Sequence, residues 1–433
     1  MRHIVDTPSS PAFDGTDAVL HAGNVTDAQV AVLGGGISGC MTACLLADQG
    51  IRVIIVEQQD TLVSGASLWN DGKIHLGYTF TGTPSLSTAR LMQDGAAVFL
   101  PTLERVTGSP LASDAFGRPV MYIVDRGSMV DPDVLWGRAE AIAGLLQDSV
   151  AQRPGLAAFA AGRDLLVRVP PDRATEMTGQ GGLAAAWLTT ELHCSTRVIA
   201  EDLRSAVRAR DITVLRGRVT GVQAHGDIWR VTMAGHHTLD VQVVVNSTWE
   251  NRTVIDRYVQ QVGAPVSIRY KYGVFGRAVR SLDHITPSTR ILGRFGDITT
   301  YPNGDAYLSW YPAGLAARSD DGCPPAIPPM DASRITAETL AGLGMHASVL
   351  EDAGATWQIH GGYVVAHGHG DIDRVDSLLH ERDRPRVTEL RPGFLSVDTG
   401  KYTLGPLMAC HATAAALRHL GRDRGPGQAS TAP

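Results

Sequence analysis

Residues 30–59 read VAVLGGGISGCMTACLLADQGIRVIIVEQQ. Val30 to Leu33 is a short apolar run of the kind a parallel sheet buries on both faces. Gly34, Gly36 and Gly39 follow in G-x-G-x-x-G spacing. Residues 37–48 then read as a helix of small side chains ended by Gly50, and residues 51–56 as a second apolar strand closed by Glu57. Each residue type has a mechanical task. Gly34 permits a tight turn, Gly36 lets the backbone approach a pyrophosphate, and Gly39 allows close packing of helix on strand. The free N–H groups of the first helical turn, at Ile37 and Ser38, face the phosphates with the positive end of the helix dipole. Glu57, followed by Gln58, sits where a carboxylate accepts hydrogen bonds from a ribose and disfavours a 2′-phosphate. A lone glycine triplet is a weak signal, but strand, turn, helix, strand and acid together specify a dinucleotide site.

Working outward, 433 residues suffice for a large core and two domains. With 44% hydrophobic and 19% charged residues, the chain has an ordinary globular composition. A net charge of −6 offers no electrostatic footprint for nucleic acid, and no apolar run is long enough to span a bilayer. The first 29 residues carry four aspartates and no apolar core, unlike a secretory signal. The five cysteines are scattered; Cys40 and Cys44 lie one helical turn apart without redox C-x-x-C spacing. Reduced thiols and a cytoplasmic location are expected.

Helices are expected over residues 84–106, 133–147, 202–210, 333–353 and 407–420, and strands over 120–124, 212–222, 228–233 and 239–245. The Val243-Val-Val245 run should rejoin the first sheet. Residues 267–275 alternate, with Ile268, Tyr270, Tyr272 and Val274 on one face and Arg269, Lys271 and Phe275 on the other. Residues 298–311 read as a hairpin turned at Asn303-Gly304. The Gly/Pro/Ser-rich tail from Gly421 reads as disordered.

The dinucleotide unit, the Ser64–Tyr78 loop, the Val243–Asn246 strand and the terminal glycine loop and helix resemble the D-amino-acid oxidase-like flavoproteins. Glycine oxidases, sarcosine oxidases and 2-hydroxy-acid dehydrogenases belong to that superfamily. The resemblance spans residues 28–110, 189–250 and 385–420. It implies an α/β fold in which a Rossmann-type FAD-binding domain (28–110, 181–254 and 385–421) is interleaved with a substrate domain built on a mixed or antiparallel β-sheet (111–180 and 255–384). The tails 1–27 and 422–433 would be flexible.

FAD is the cofactor so implied. Gly34, Gly36, Ile37, Ser38, Gly39, Glu57 and Gln58 would meet its ADP part. Ser67, Gly72, Lys73 and Ile74 would come from the loop that wraps pyrophosphate and flavin, and Val219 and Asn246 from the β-rich run. Gly400, Lys401, Tyr402 and Thr403 would come from the loop against the flavin pyrimidine. Two departures stand out: no arginine is strongly placed for a substrate carboxylate, and no cysteine is clearly positioned for covalent flavin attachment.

Candidate catalytic residues are His75, Lys401, Arg269, Lys271 and Tyr272, each with a plainer alternative. Lys401 would stabilise the anion that forms when the flavin accepts hydride, or is an exposed loop lysine. His75 could be a base, a hydrogen-bond donor or a covalent anchor, or a packed structural histidine. Arg269 and Lys271 could clamp a carboxylate, or form the solvated face of a strand. Tyr270, Tyr272, Tyr307, Trp310 and Tyr311 concentrate in the substrate domain; Tyr307 and Tyr311 share a face with Ser309, opposite Trp310. His360, His367 and His369 with Asp371 and Asp373 lack a metal-ligand spacing, and no metal is expected.

The leading reading is an FAD-dependent oxidoreductase that oxidises a C–N bond of a small amine or amino acid, with oxygen as the acceptor. A 2-hydroxy-acid oxidase or dehydrogenase is the nearest alternative, and would need a base such as His75. An NAD-dependent dehydrogenase is a third reading, though no catalytic constellation for one stands out.

Overall fold

The computed structural model describes residues 28–160, 162–261 and 265–422. The expected flexible tails, apart from Arg422, lie outside the described residues.

Val30–Leu33 is the hub of a six-stranded sheet. Across it the order is Val387–Arg391, Phe394–Val397, Val243–Asn246, Val30–Leu33, Val53–Glu57 and Thr213–Arg216. Val30–Leu33 pairs in parallel with Val243–Asn246 on one side and Val53–Glu57 on the other. Only the hairpin of the last two strands in the chain is antiparallel. The connections diverge on either side of the hub, which opens a crevice at the strands' carboxyl ends. Both faces of the hub strand are covered, hence its unbroken apolar run. A meander of Val219–His225, Ile228–Met233 and Thr238–Val241 lies on one face, where Val222, Trp229 and Val231 pack with Ala31, Leu33, Ile54 and Val56. Helices Ile37–Ala47 and Gly405–His419 pack together in the main core. The former is buried almost all round, which explains why its side chains are small and apolar on every face.

The second sheet has nine strands. Its path runs Leu315–Ser319, Val266–Arg277, Ala306–Trp310, Gly296–Thr300, Ser288–Ile291, Met121–Asp125, Leu183–Thr189 and Leu166–Val169. Thr356–His367 pairs along the whole of Val266–Arg277. It is mixed, because Ser288–Ile291 joins Met121–Asp125 in parallel while its other pairings are antiparallel. The α/β class and the mixed second sheet agree with expectation.

Several local expectations need correction. Leu183–Thr189 falls in the 181–254 block assigned to the FAD domain, yet it pairs with Met121–Asp125 in the nine-stranded sheet. The helix expected over 333–353 stops at Leu343, where Gly344 adopts φ +71° and closes it; Ala347–Glu351 is a separate 3-10 turn. The last helix begins at Gly405, since Pro406 fits a first turn. The helix expected from 202 starts at Thr196, where the Ser195 hydroxyl accepts the Val198 N–H. In the hairpin, Gly304 alone takes positive φ, at +83°. Its N–H returns to the Tyr301 carbonyl (2.9 Å) and Tyr301 N–H donates to the Asp305 carbonyl (3.0 Å). Tyr311 begins a one-turn helix, Tyr311–Gly314, so strand alternation does not place its side chain.

Candidate functional site

A cavity of about 310 Å³ opens at the carboxyl ends of the parallel strands. The Gly34–Ser38 turn forms one wall. Gly34 has φ +92°, and a Cβ there would sit 2.7 Å from the Ser247 carbonyl oxygen. A Cβ on Gly36 would come within 3.1 Å of the Ser67 hydroxyl, which accepts the Ile37 N–H (3.1 Å). The N-cap residue Gly36 has no side chain to cap the helix that starts at Ile37, so Ser67 takes the first N–H from outside it. Glu57 lines the next wall, with Oε2 accepting the Gly35 N–H (2.6 Å) and Oε1 the Gln59 N–H (2.8 Å). Ser38 and Thr399 hydroxyls meet at 3.0 Å, joining the helix to the terminal glycine loop.

Of the residues singled out in the sequence, Gly34, Gly36, Ile37, Ser38, Glu57, Gln58, Ser67, His75, Val219, Gly400, Lys401 and Tyr402 line this cavity. The others sit elsewhere. Gly39 faces the Gly34 carbonyl, 1.9 Å from where its Cβ would stand, and serves the packing of helix on turn. A Cβ on Gly72 would strike the Cys194 carbonyl at 1.9 Å. Ile74 is fully buried core. Asn246 donates to Asp256 Oδ1 (2.7 Å) and the Arg252 carbonyl (3.0 Å), fastening strand end to helix. Thr403 accepts the His75 N–H (2.8 Å) and donates to the Lys73 carbonyl (3.1 Å).

Lys73 is held by Asp71 Oδ2 (2.9 Å), Asp297 Oδ1 (3.1 Å) and the Thr289 hydroxyl (2.6 Å). Burial works against its charge, but Asp297 and Asp71 outweigh burial and raise the ammonium above its ordinary value. Lys271 approaches the same Asp297 at 4.0 Å.

His75 Nδ1, at the cavity wall, lies 3.2 Å from Oε1 of the fully buried Glu191. Glu191 Oε2 accepts the Leu76 N–H (2.7 Å), and the Tyr122 hydroxyl donates to Oε1. Burial lowers His75 below its ordinary value despite Glu191. Burial would raise Glu191, but His75 and Lys73 hold it below the ordinary carboxylate value. Glu191 escaped the sequence reading because nothing local distinguishes a lone Glu after Thr189-Thr190; the partnership spans 116 positions.

Arg269 is 2% exposed, so the solvated-face alternative does not hold for it. It donates to the Tyr311 hydroxyl at 3.0 Å, and its guanidinium carbon is 5.9 Å from that ring. Tyr272 does not join it, because strand alternation turns it into a separate core with Val274, Leu308 and Trp357. Lys401 is half-buried, 5.7 Å from the Phe80 ring centroid. Burial, then the nearby Arg382, push its ammonium down to about 7. Arg382, 6% exposed, was also missed by the sequence reading. Among the described residues, no group of three or more His, Cys, Asp or Glu side chains could hold a metal.

The family model described as DAO, FAD dependent oxidoreductase, matches residues 29–266. Among solved structures, glycine oxidase from Geobacillus kaustophilus superposes with a TM-score of 0.64 at 16% identity, covering 90% of this chain and 94% of that one. Iminodiacetate oxidase from Chelativorans sp. BNC1 gives 0.62 at 15%, covering 91% and 96%. L-proline dehydrogenase from P. horikoshii gives 0.60 at 13%, covering 93% and 96%. At these identities the likeness concerns the fold. No curated protein sequence matches the chain. No helix among the described residues is long and apolar enough to cross a membrane.

Proposed function

The chain belongs to the DAO family of FAD-dependent oxidoreductases, and from that premise we propose that it oxidises the C–N bond of a small amino acid with oxygen as acceptor. The NAD-dependent alternative gives way to the family's cofactor. The residues present fit FAD. Gly34 and Gly36 leave a cradle that a Cβ would fill, the N-terminal end of the helix Ile37–Ala47 borders it, and Glu57 lines the adjoining wall. In this reading the six-stranded sheet carries the cofactor and the nine-stranded sheet the substrate. Gly34–Ser38 and Ser67 take the pyrophosphate, Glu57 the ribose, and Gly400–Tyr402 the flavin end.

The observation that carries the substrate reading is Arg269, a buried guanidinium without a carboxylate partner among the described residues, oriented by Tyr311. A guanidinium so placed presents a planar fork to a substrate carboxylate. Bound FAD supplies a two-electron acceptor for hydride leaving the substrate carbon. Arg269 orients the carboxylate, and Lys401 supplies positive charge at the cavity wall. His75, kept neutral by burial, can accept a proton from the substrate. The five unpaired cysteines support a reducing, cytoplasmic location.

The His75–Glu191 pair specifically favours a second reading, oxidation of a 2-hydroxy acid, where a base oriented by a carboxylate would take the hydroxyl proton. Anaerobic mixing of the purified flavoprotein with matched amino and 2-hydroxy acids decides between them. Bleaching of the flavin by amino acids, reversed by air with release of peroxide, supports the leading reading. Bleaching by hydroxy acids alone transfers the assignment to the second, and reduction that air does not reverse removes oxygen as acceptor.

A further inference from the structure

Behind the Lys401 wall of the cavity, two buried guanidinium groups hold more positive charge than one carboxylate requires. Arg269 comes from the strand Val266–Arg277 and donates to the Tyr311 hydroxyl (3.0 Å), while Arg382, from the loop before Val387–Arg391, feels the charge of both Arg269 and Tyr311. The Phe295 ring links the two segments, 6.3 Å from Tyr311 and 6.2 Å from His380, two residues before Arg382. Arg382 Nη1 donates to the Leu379 and Glu381 carbonyls, so its position is held by backbone rather than by an acid. Nε of Arg269 and Nε of Arg382 are both buried with no hydrogen-bond partner among the described residues. Asp398, the acid nearest in electrostatic effect, is already engaged by Arg252 (3.2 Å) and His367 (2.6 Å).

The neighbouring cations differ. Lys73 has Asp71 and Asp297, Lys271 has Asp297, and Arg290 has Asp125. A buried charge left without a counter-ion costs several kcal/mol. Burial, then Arg269, push Arg382 down to about 9 against the opposing pull of Asp398 and Tyr311. A single carboxylate at Arg269 leaves Arg382 still unmatched.

We propose that the substrate is a dianion, an amino or hydroxy acid carrying a second carboxylate, with Arg269 holding one carboxylate and Arg382 the other. This rests on the reading of Arg269 as the substrate-carboxylate site. Two fixed guanidinium groups select both the charge and the spacing of the acid. A second charge-assisted contact is worth about tenfold or more in affinity.

The test uses the flavin-loaded enzyme and inert acids, with binding read from the perturbation of the flavin absorbance spectrum. The probes are acetate and propionate against the series malonate, succinate, glutarate and adipate. One member of the dicarboxylate series should bind about tenfold or more tighter than the monocarboxylates, with weaker binding on either side of that length. Arg382→Met should abolish the dicarboxylate advantage over acetate, whereas Arg269→Met should weaken both classes. A flat length series in the wild type overturns the proposal without any variant having to fold. So does an unchanged dicarboxylate-to-acetate ratio in Arg382→Met. If Arg269→Met alters neither class, the carboxylate reading beneath the proposal fails as well, and the two failures are told apart.

Discussion

Glu191 and His75, 116 positions apart in the chain, meet at 3.2 Å, the carboxylate fully buried and the imidazole at the cavity wall. The same carboxylate receives the Leu76 N–H and the Tyr122 hydroxyl, so one side chain answers three donors from two elements. Glu191→Ala would leave these groups buried and unpaired, at a cost of about 3–5 kcal/mol. Glu191→Gln, which keeps one acceptor oxygen, should cost less. Urea unfolding of the two variants measures the difference; a loss below about 1 kcal/mol for the alanine would show that water replaces the carboxylate.

Acid should weaken the fold through His193. This side chain is fully buried, 3.3 Å from the Thr300 carbonyl, and burial lowers it from 6.5 to about 4. The unfolded chain therefore binds a proton that the native state refuses. The stabilisation is complete above pH 6.5 and is lost progressively as pH falls towards 4, by about 3 kcal/mol in total. His75, lowered in the same direction, adds to the slope. Unfolding midpoints at successive pH values would show the decline, and a His193→Gln variant should flatten it. Parallel curves for the two proteins would rule His193 out.

The three motif glycines should separate in their effects. A Cβ on Gly39 would lie 1.9 Å from a backbone oxygen that cannot move aside, so Gly39→Ala should fail to fold or melt far lower. Gly36→Ala meets only the Ser67 hydroxyl at 3.1 Å, and should fold normally but retain less FAD. Gly34→Ala combines φ +92° with a 2.7 Å contact to Ser247 and should lose both stability and cofactor. Flavin content and melting temperature, measured together, distinguish the cases; equal flavin in wild type and Gly36→Ala would detach that glycine from the cofactor.

Lys401 should set a pH limit on anion binding. Burial and Arg382, with Lys73 adding, push it down to about 7, against the opposing pull of Asp71 and Asp297. It is a cation below that pH and neutral above. Acetate binding to the flavin-loaded enzyme should therefore weaken as pH rises through about 7. In Lys401→Met the affinity should be lower at acid pH and nearly level across the range. An identical pH dependence in both proteins would assign the titration to another group.

The parts of the site that could be read directly are those whose residues are close in sequence. The turn from Gly34 to Gly39 and the acid at Glu57 belong to one strand–helix–strand unit, and local backbone geometry dictates their types. The Tyr272 error had a different origin. Alternation along residues 267–275 separated the faces properly, but not which face belonged to the site, since that depends on what packs against the strand. Lys73, Asn246 and Thr403 were grouped with the cofactor through their neighbours, whereas their side chains hold elements together.

The 30–59 stretch, by periodicity and glycine spacing alone, established a dinucleotide-binding α/β domain. The covering loop and the final helix carry the resemblance to flavoproteins. Charge placement was another matter. Glu191 beneath His75, and Arg382 near Arg269, unite residues separated by more than a hundred positions. Backbone propensity constrains a residue through its near neighbours, but the energy of a buried charge depends on every group around it in space. Only the packed sheets decide which charges are neutralised and which are left for a ligand.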